Sequence, residues 1–413
     1  QWWTLFGDAQ LNQLVDAVLA KNADLAVAGI TLKQARLQAE LAENQQKIRV
    51  SSSTGLSTGH SFNLNDGNDT SSGLSAKTGL SYEVDLFGKL ARQTEAKRWE
   101  ALATEQDLQA TAQSLIGTTA KLYWQLAYYN ESRTTAEQSL ATSQKLYDLV
   151  KVQYQAGAVS GLDLTQAEQS VQSQKASLSQ IQQSLVETRT AIAVLLHMPV
   201  QQLSIDEPQR LPRLALPSIA AGLPADILSR RPDLKAAELR LRESLATKDA
   251  TTASYYPSIS LTGNIGSSST SLTQLLKNPA LTLGASLSLP FLQYNDMKRD
   301  LAISQLDYEK AIVQYRQTLY QAFADVENAL SARTELSQQV QLQQRNLELA
   351  EKVERLTQVR YRYGAVALKT LLDQQETTRT ARLTLVNTKQ SQYNAYVTLM
   401  QALGGSPIQQ LPK

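Results

Sequence analysis

The sequence predicts a mainly α chain that also carries membrane-type β-strands and is internally duplicated. Three observations carry that prediction. One passage is written twice, about 207–209 residues apart: Asn22-Ala23-Asp24-Leu25 returns as Arg231-Pro232-Asp233-Leu234, and Val152-x-Tyr154-x-x-Gly157-Ala158-Val159 returns as Val359-x-Tyr361-x-x-Gly364-Ala365-Val366. Each copy holds a pair of segments that alternate apolar and polar residues, the period of a strand. Between these segments run stretches of more than sixty residues with almost no Gly and no Pro. A repeat of roughly 20–50 residues would mark a solenoid; one of about 200 marks two copies of a whole substructure.

In chain order, residues 9–47 read as one helix, with Leu11, Leu14, Val18, Leu25, Ile30, Leu32 and Leu37 at helical spacing. Residues 50–64 then alternate, with Val50, Leu56, Phe62 and Leu64 against Ser51, Ser53, Gly55, Ser57, Gly59 and Ser61. Asn65-Asp66-Gly67-Asn68-Asp69 supplies a turn, since Asn, Asp and Gly tolerate positive φ. Leu74, Ala76, Thr78, Leu80, Tyr82 and Val84 form the apolar face of the returning strand. The second copy repeats the hairpin over about 258–290, where Leu281, Leu283, Ala285, Leu287 and Leu289 oppose Thr282, Gly284, Ser286 and Ser288. Ten-residue strands that are apolar on one face and polar on the other are the signature of an outer-membrane barrel; a half-exposed sheet in a water-soluble protein is the plainer reading.

Long helices fill the rest. They are expected over 89–154 (roughly 100 Å at helical rise), 163–197, 296–362 and 368–402, with reversals at Gly157, Gly161 and Gly364. Seven-residue spacings at Val171, Leu178, Leu185 and Ile192, and at Leu342, Leu349 and Leu356, predict coiled-coil seams. The first 198 residues contain no Pro, then six fall between Pro199 and Pro232, which marks 199–224 as an irregular connector. The expected organisation is a first repeat over 1–198, that connector, a second repeat over 225–405 and a tail over 406–413.

Composition excludes more than it asserts. A net charge of +2 gives no nucleic-acid footprint, and zero cysteines remove disulfides, thiolate metal sites and Cys nucleophiles together. No run of eighteen apolar residues exists for a membrane-crossing helix, and no leader-like segment opens the chain at Gln1-Trp2-Trp3. His60 and His197 have no metal-ligand spacing around them, and no phosphate loop or nucleophile elbow occurs. The expectation is a non-enzyme without cofactor or metal. Four strands per chain cannot close a barrel, which needs about eight, and open edges are forbidden in lipid. Strands that enter a membrane therefore require several chains to share one barrel.

With these pieces in hand, the whole chain resembles the TolC-like outer-membrane efflux proteins, in their lipoprotein branch. The resemblance rests on Trp2-Trp3-x-x-Phe6, Asn22-x-Asp24-Leu25, Asp85-Leu86-Phe87-Gly88, Arg230-Arg231-Pro232-Asp233, Tyr256-Pro257-Ser258-Ile259-Ser260-Leu261 and Ala402-Leu403-Gly404-Gly405, in order and across both copies. It implies a homotrimer with one shared 12-stranded barrel, a periplasmic α-barrel of coiled helices, and an equatorial girdle. It further implies a periplasmic adaptor and an inner-membrane pump as partners, with outer-membrane lipid around the strands and no nucleic acid. Branch relatives begin with a lipidated cysteine; this sequence contains none, which leaves lipidation open.

The same resemblance places function at the helix reversals. Gly157, Ala158, Val159 and Gly364, Ala365, Val366 would form the adaptor-binding tip. Asp163 and Tyr361 match a family pair whose inter-helix hydrogen bond helps hold the entrance shut, with N-terminal helix capping as the plainer role for Asp163. Asp373 matches a pore-lining aspartate, and a ring of such carboxylates favours cations. Thr370 stands where a second aspartate ring can occur, Val366 where an arginine can add a latch, and Leu371 and Leu372 are candidate apolar constrictors. Tyr82, Phe87, Tyr255, Tyr256 and Phe291 at the strand bases are candidates for an interfacial belt. A type I protein-secretion exit duct and a non-conducting coiled-coil surface protein are the alternatives to efflux.

Overall fold

The computed structural model describes residues 1–63, 67–212, 216–217, 230–271, 273–275, 277 and 279–405, with backbone alone at 61–63 and 67–69. The tail 406–413, much of the 199–224 connector, and Leu64, Asn65 and Asp66 of the first hairpin lie outside the described residues.

A 3-10 turn at Trp2–Phe6 leads to α1 (Ala9–Lys21) and α2 (Ala23–Asn44). The single helix expected over 9–47 is therefore two. Asn22 is the reason: it sits extended, its side-chain Oδ1 accepts the Leu25 amide at 3.0 Å to cap α2, and its Nδ2 donates to the Leu195 carbonyl at 2.9 Å. In the second copy the same motif opens α5 (Pro232–Ser254), with Pro232 in the first turn, where its missing N–H costs nothing.

Four strands follow the predicted hairpins: β1 (Arg49–Asn63), β2 (Gly67–Val84), β3 (Ser258–Ser269) and β4 (Ala280–Ser288), antiparallel in the order β1-β2-β3-β4. Their register aligns one apolar face across the sheet. Val50 opposes Leu80, Tyr82 opposes Leu261, Val84 opposes Ile259, Ile259 opposes Leu287, and Ile265 opposes Leu281. The opposite face is Ser51, Ser81, Thr262, Asn264, Thr282 and Ser286, as the alternation predicts. The apolar face is uncovered: Leu283 is 76 % exposed and Leu56 likewise 76 %. β1 and β4 each keep one unpaired edge.

The long helices are α3 (Lys89–Gln155), α4 (Gly161–Leu195), α6 (Tyr294–Arg362) and α7 (Leu368–Ala402), within a few residues of expectation. Among the described residues, no helix is apolar and long enough to cross a membrane. The α4 seam turns inward, with Val171, Leu185 and Ile192 buried and Leu178 half-buried. The α6 seam does not. Leu342, Leu349 and Leu356 are exposed, and α6 packs on α7 through Leu347 and Ala350 against Ala381 and Leu385.

Two compact units result, and each draws on both copies. One comprises Gln1–Gly29, Leu108–Leu234 and Leu319–Lys413. Its core is aromatic: Trp2 and Trp3 are buried, Phe6 sits 5.3 Å from Trp124 and 5.1 Å from Tyr396, and Trp124 lies 4.7 Å from Tyr393. Buried Arg231 donates to Asp233 at 3.0 and 2.8 Å, to Asp325 at 3.1 Å and to the Ala402 carbonyl at 3.3 Å, joining the start of α5 to α6 and α7. The other unit comprises Ile30–Asp107 and Lys235–Thr318. It contains the sheet, ion pairs from Arg240 to Asp107 and Glu100, and Phe87 stacked on Tyr256 at 4.8 Å.

Candidate functional site

Two helix reversals built on the same backbone plan define the site. At the first, Gly157 adopts φ +72°, its amide bonds the Tyr154 carbonyl at 3.0 Å, and the Ala158 amide reaches the Gln153 carbonyl at 2.8 Å. At the second, Gly364 adopts φ +71°, with Gly364 to Tyr361 at 2.9 Å and Ala365 to Arg360 at 2.8 Å. These paired bonds close the last turns of α3 and α6 on a left-handed residue. A Cβ on either glycine would meet nothing within 4 Å, so glycine is required by backbone conformation rather than by crowding. Gly157, Ala158, Gly364 and Ala365 are exposed, and Val159 and Val366 half-buried.

The four long helices meet just behind these turns. Val150 of α3, Ala167 of α4 and Leu368 of α7 form a buried cluster against which Tyr361 of α6, Val159, Leu164 and Leu372 pack. Gln174 of α4 donates to Glu376 of α7 at 3.4 Å, and Arg382 of α7 donates to Glu351 of α6 at 2.8 Å. Between the helices lies a polar cavity of about 460 Å³, lined by residues including Gln138, Ser143, Gln174, Glu354, Asp373 and Glu376.

Asp163 does two things. Its Oδ2 accepts the Ser160 amide at 3.2 Å and the Ser160 hydroxyl at 3.0 Å, while the Asp163 amide donates to Ser160 Oγ at 3.3 Å, a reciprocal capping box at the start of α4. Its charge also reaches Tyr361, whose hydroxyl is pushed above its ordinary pKa first by burial and then by that carboxylate. Asp163 and Tyr361 are thus brought together electrostatically, but the carboxylate's hydrogen bonds go to Ser160 rather than to the tyrosine.

At the second reversal the cap position is Ala367, which offers no side-chain bond. Thr370 and Asp373 are exposed on α7, and Leu372 is half-buried against the tip cluster. Leu371 is only 2 % exposed. It packs within its own chain, where helical periodicity puts it on the buried face with Leu368. Asp373 is not a lone carboxylate. Lys369 Nζ lies 2.9 and 2.7 Å from its two oxygens. The i,i+4 spacing of Lys369 and Asp373 was visible in the sequence and signals such a pair. Glu376 is held below the usual carboxylate range chiefly by the hydrogen bond from Arg379.

Comparison with known proteins agrees with this architecture. The family model described as outer membrane efflux protein matches twice, over residues 14–196 and 223–405, one match per copy of the repeat. The pyoverdine export outer membrane protein OpmQ of Pseudomonas putida is 30 % identical over 98 % of the chain and 88 % of its own length. The probable efflux pump outer membrane protein TtgC of the same species is 30 % identical over 99 % of the chain and 86 % of its own length. Among solved structures, the outer-membrane channel OprN superposes with a TM-score of 0.87 at 28 % identity, covering 98 % of this chain and 92 % of that one. The duplication, the amphipathic sheet with bare edges, the paired helical reversals and these likenesses converge: the chain belongs to the outer membrane efflux protein family, as a non-enzymatic exit duct of the Gram-negative outer membrane.

Proposed function

We propose that three copies of this chain assemble into one duct, each giving its four strands to a shared barrel and its long helices to a periplasmic tube. The observation that carries the reading is the sheet: one uncovered face that bears Val50, Leu56, Leu80, Leu261, Ile265, Leu281 and Leu283, up to 76 % exposed at Leu283, and one free backbone edge on each of β1 and β4. Unpaired backbone groups in lipid cost several kcal/mol each, so β1 of one copy must meet β4 of the next. The outward leucine stripe of α6, Leu342, Leu349 and Leu356, is the matching helical contact.

The Gly157-Ala158-Val159 and Gly364-Ala365-Val366 turns, exposed at their Gly and Ala residues, form the docking surface for a periplasmic adaptor, through which an inner-membrane pump delivers small molecules. The entrance gate lies just behind them, at Asp163, Tyr361, Thr370, Leu372 and Asp373. Two features support a gate here: all four long helices converge on Tyr361 and Leu372, and Asp163 reaches Tyr361 from the other helical hairpin. Native mass spectrometry of detergent-extracted protein tests the assembly. Particles of three chains that fall to monomers only on heating are expected. A detergent-independent monomer or dimer would contradict the proposal.

A further inference from the structure

The second reversal carries a charge pair that the first lacks. Lys369 and Asp373 of α7 correspond in the repeat to Leu162 and Gln166 of α4, so both charges stand where the first copy has an apolar and a neutral residue. Lys369 grips both oxygens of Asp373, at 2.7 and 2.9 Å, and the two side chains are 65 % and 64 % exposed. An exposed i,i+4 pair in this orientation contributes little to stability. Its consequence is for the field in front of α7. The neighbouring charges on the α7 entrance stretch are themselves paired. Glu376 is paired with Arg379 one turn on, and Arg382 with Glu351 of α6. Glu354 of α6 lines the same cavity.

We propose that Lys369 sets the charge selectivity of the entrance, by turning what would be a ring of bare Asp373 carboxylates into a ring of ion pairs. This inference rests on the trimeric-duct reading above, with Asp373 facing the pore. Three bare carboxylates would concentrate cations at a narrow mouth; three Lys369–Asp373 pairs sum to zero. The entrance then admits anionic and zwitterionic solutes as readily as cationic ones, contrary to the cation preference expected from Asp373 alone. Because charges act over a screening length of about 10 Å at 0.1 M salt, the effect does not require the pair to stay bonded.

The test is the reversal potential of purified protein in a planar bilayer under a potassium chloride gradient. Wild type, Lys369→Gln, Asp373→Asn, the double variant and Lys369→Arg are compared. Wild type should discriminate weakly. Lys369→Gln should raise the potassium-to-chloride permeability ratio by about threefold or more, Asp373→Asn should lower it, and the double variant should return toward wild type. Lys369→Arg should match wild type, and all differences should shrink at 1 M salt, where screening falls to about 3 Å. An unchanged ratio in Lys369→Gln, in pores that still conduct, would overturn this inference and leave the duct standing. No wild-type or variant conductance at all would overturn the duct reading, and the inference with it.

Discussion

The two copies of the repeat keep the same backbone punctuation and hold it in place with different chemistry. Both place a left-handed glycine where a long helix ends, at Gly157 and Gly364, and both start a helix at the Asn22/Arg231 position. In the first copy these points are secured by local caps, Asn22 for α2 and the Ser160–Asp163 box for α4. In the second they are secured by packing and charge, with Arg231 spanning α5, α6 and α7 and Leu368 buried behind an uncapped Ala367. Conformation was kept through the duplication because few residues satisfy φ near +70°. Side chains were free to diverge around that backbone, as at the paired positions Asn22/Arg231 and Ser160/Ala367.

Breaking the two helix starts should give the largest contrast. Arg231→Ala leaves Asp233 and Asp325 without their shared cation and should cost about 2–3 kcal/mol, less than a fully buried pair because both carboxylates are partly exposed. Asn22→Ala removes one cap and should cost about 1 kcal/mol. Hydrogen exchange of the first-turn amides of α5 and α2 reads the two losses separately.

At the reversals, Gly157→Val and Gly364→Val should be alike, each costing roughly 1–3 kcal/mol for a β-branched residue held at positive φ. Unequal exchange protection in the turns would show that one glycine is held by more than its φ. The caps should behave oppositely. Ser160→Ala should weaken the start of α4 by about 1 kcal/mol, whereas Ala367→Ser should strengthen the start of α7 by a similar amount. Protection of amides 161–164 and 368–371 measures both.

The smallest effect is on titration. Tyr361 is raised by burial and by Asp163, so its contribution to stability is present below the ordinary tyrosine pKa and is lost as pH rises through the higher folded value. Asp163→Asn should bring the Tyr361 pKa partway back down, leaving the burial contribution, as followed by ultraviolet difference titration. An unmoved value would mean that the two halves of the tip do not sense each other.

Much of this was legible in sequence because it depends on period and punctuation. Alternation in 281–289 gave β4 and its apolar face, and the absence of Pro with a Gly at each end gave α7 at its observed limits. What escaped depends on partners remote in sequence or on competition between roles. Asn22 looked like one more helical residue until its side chain met Leu195 across the bundle. Leu342, Leu349 and Leu356 keep a heptad, but α6 meets α7 through Leu347 and Ala350 instead. Leu371 reads in sequence as an apolar constrictor, and its i,i+3 register with Leu368 buries it within its own chain. The charge of Asp373 depends on Lys369, four residues before it, whose ammonium reaches both carboxylate oxygens.

The most direct test of the account is single-channel conductance of the purified protein in a planar bilayer, with wild type compared with Asp163→Ala and Tyr361→Phe. A duct gated at the two reversals should give small wild-type currents that grow in both variants. A detergent-stable oligomer that passes no current in any of the three would contradict the account and point to a non-conducting coiled-coil surface protein.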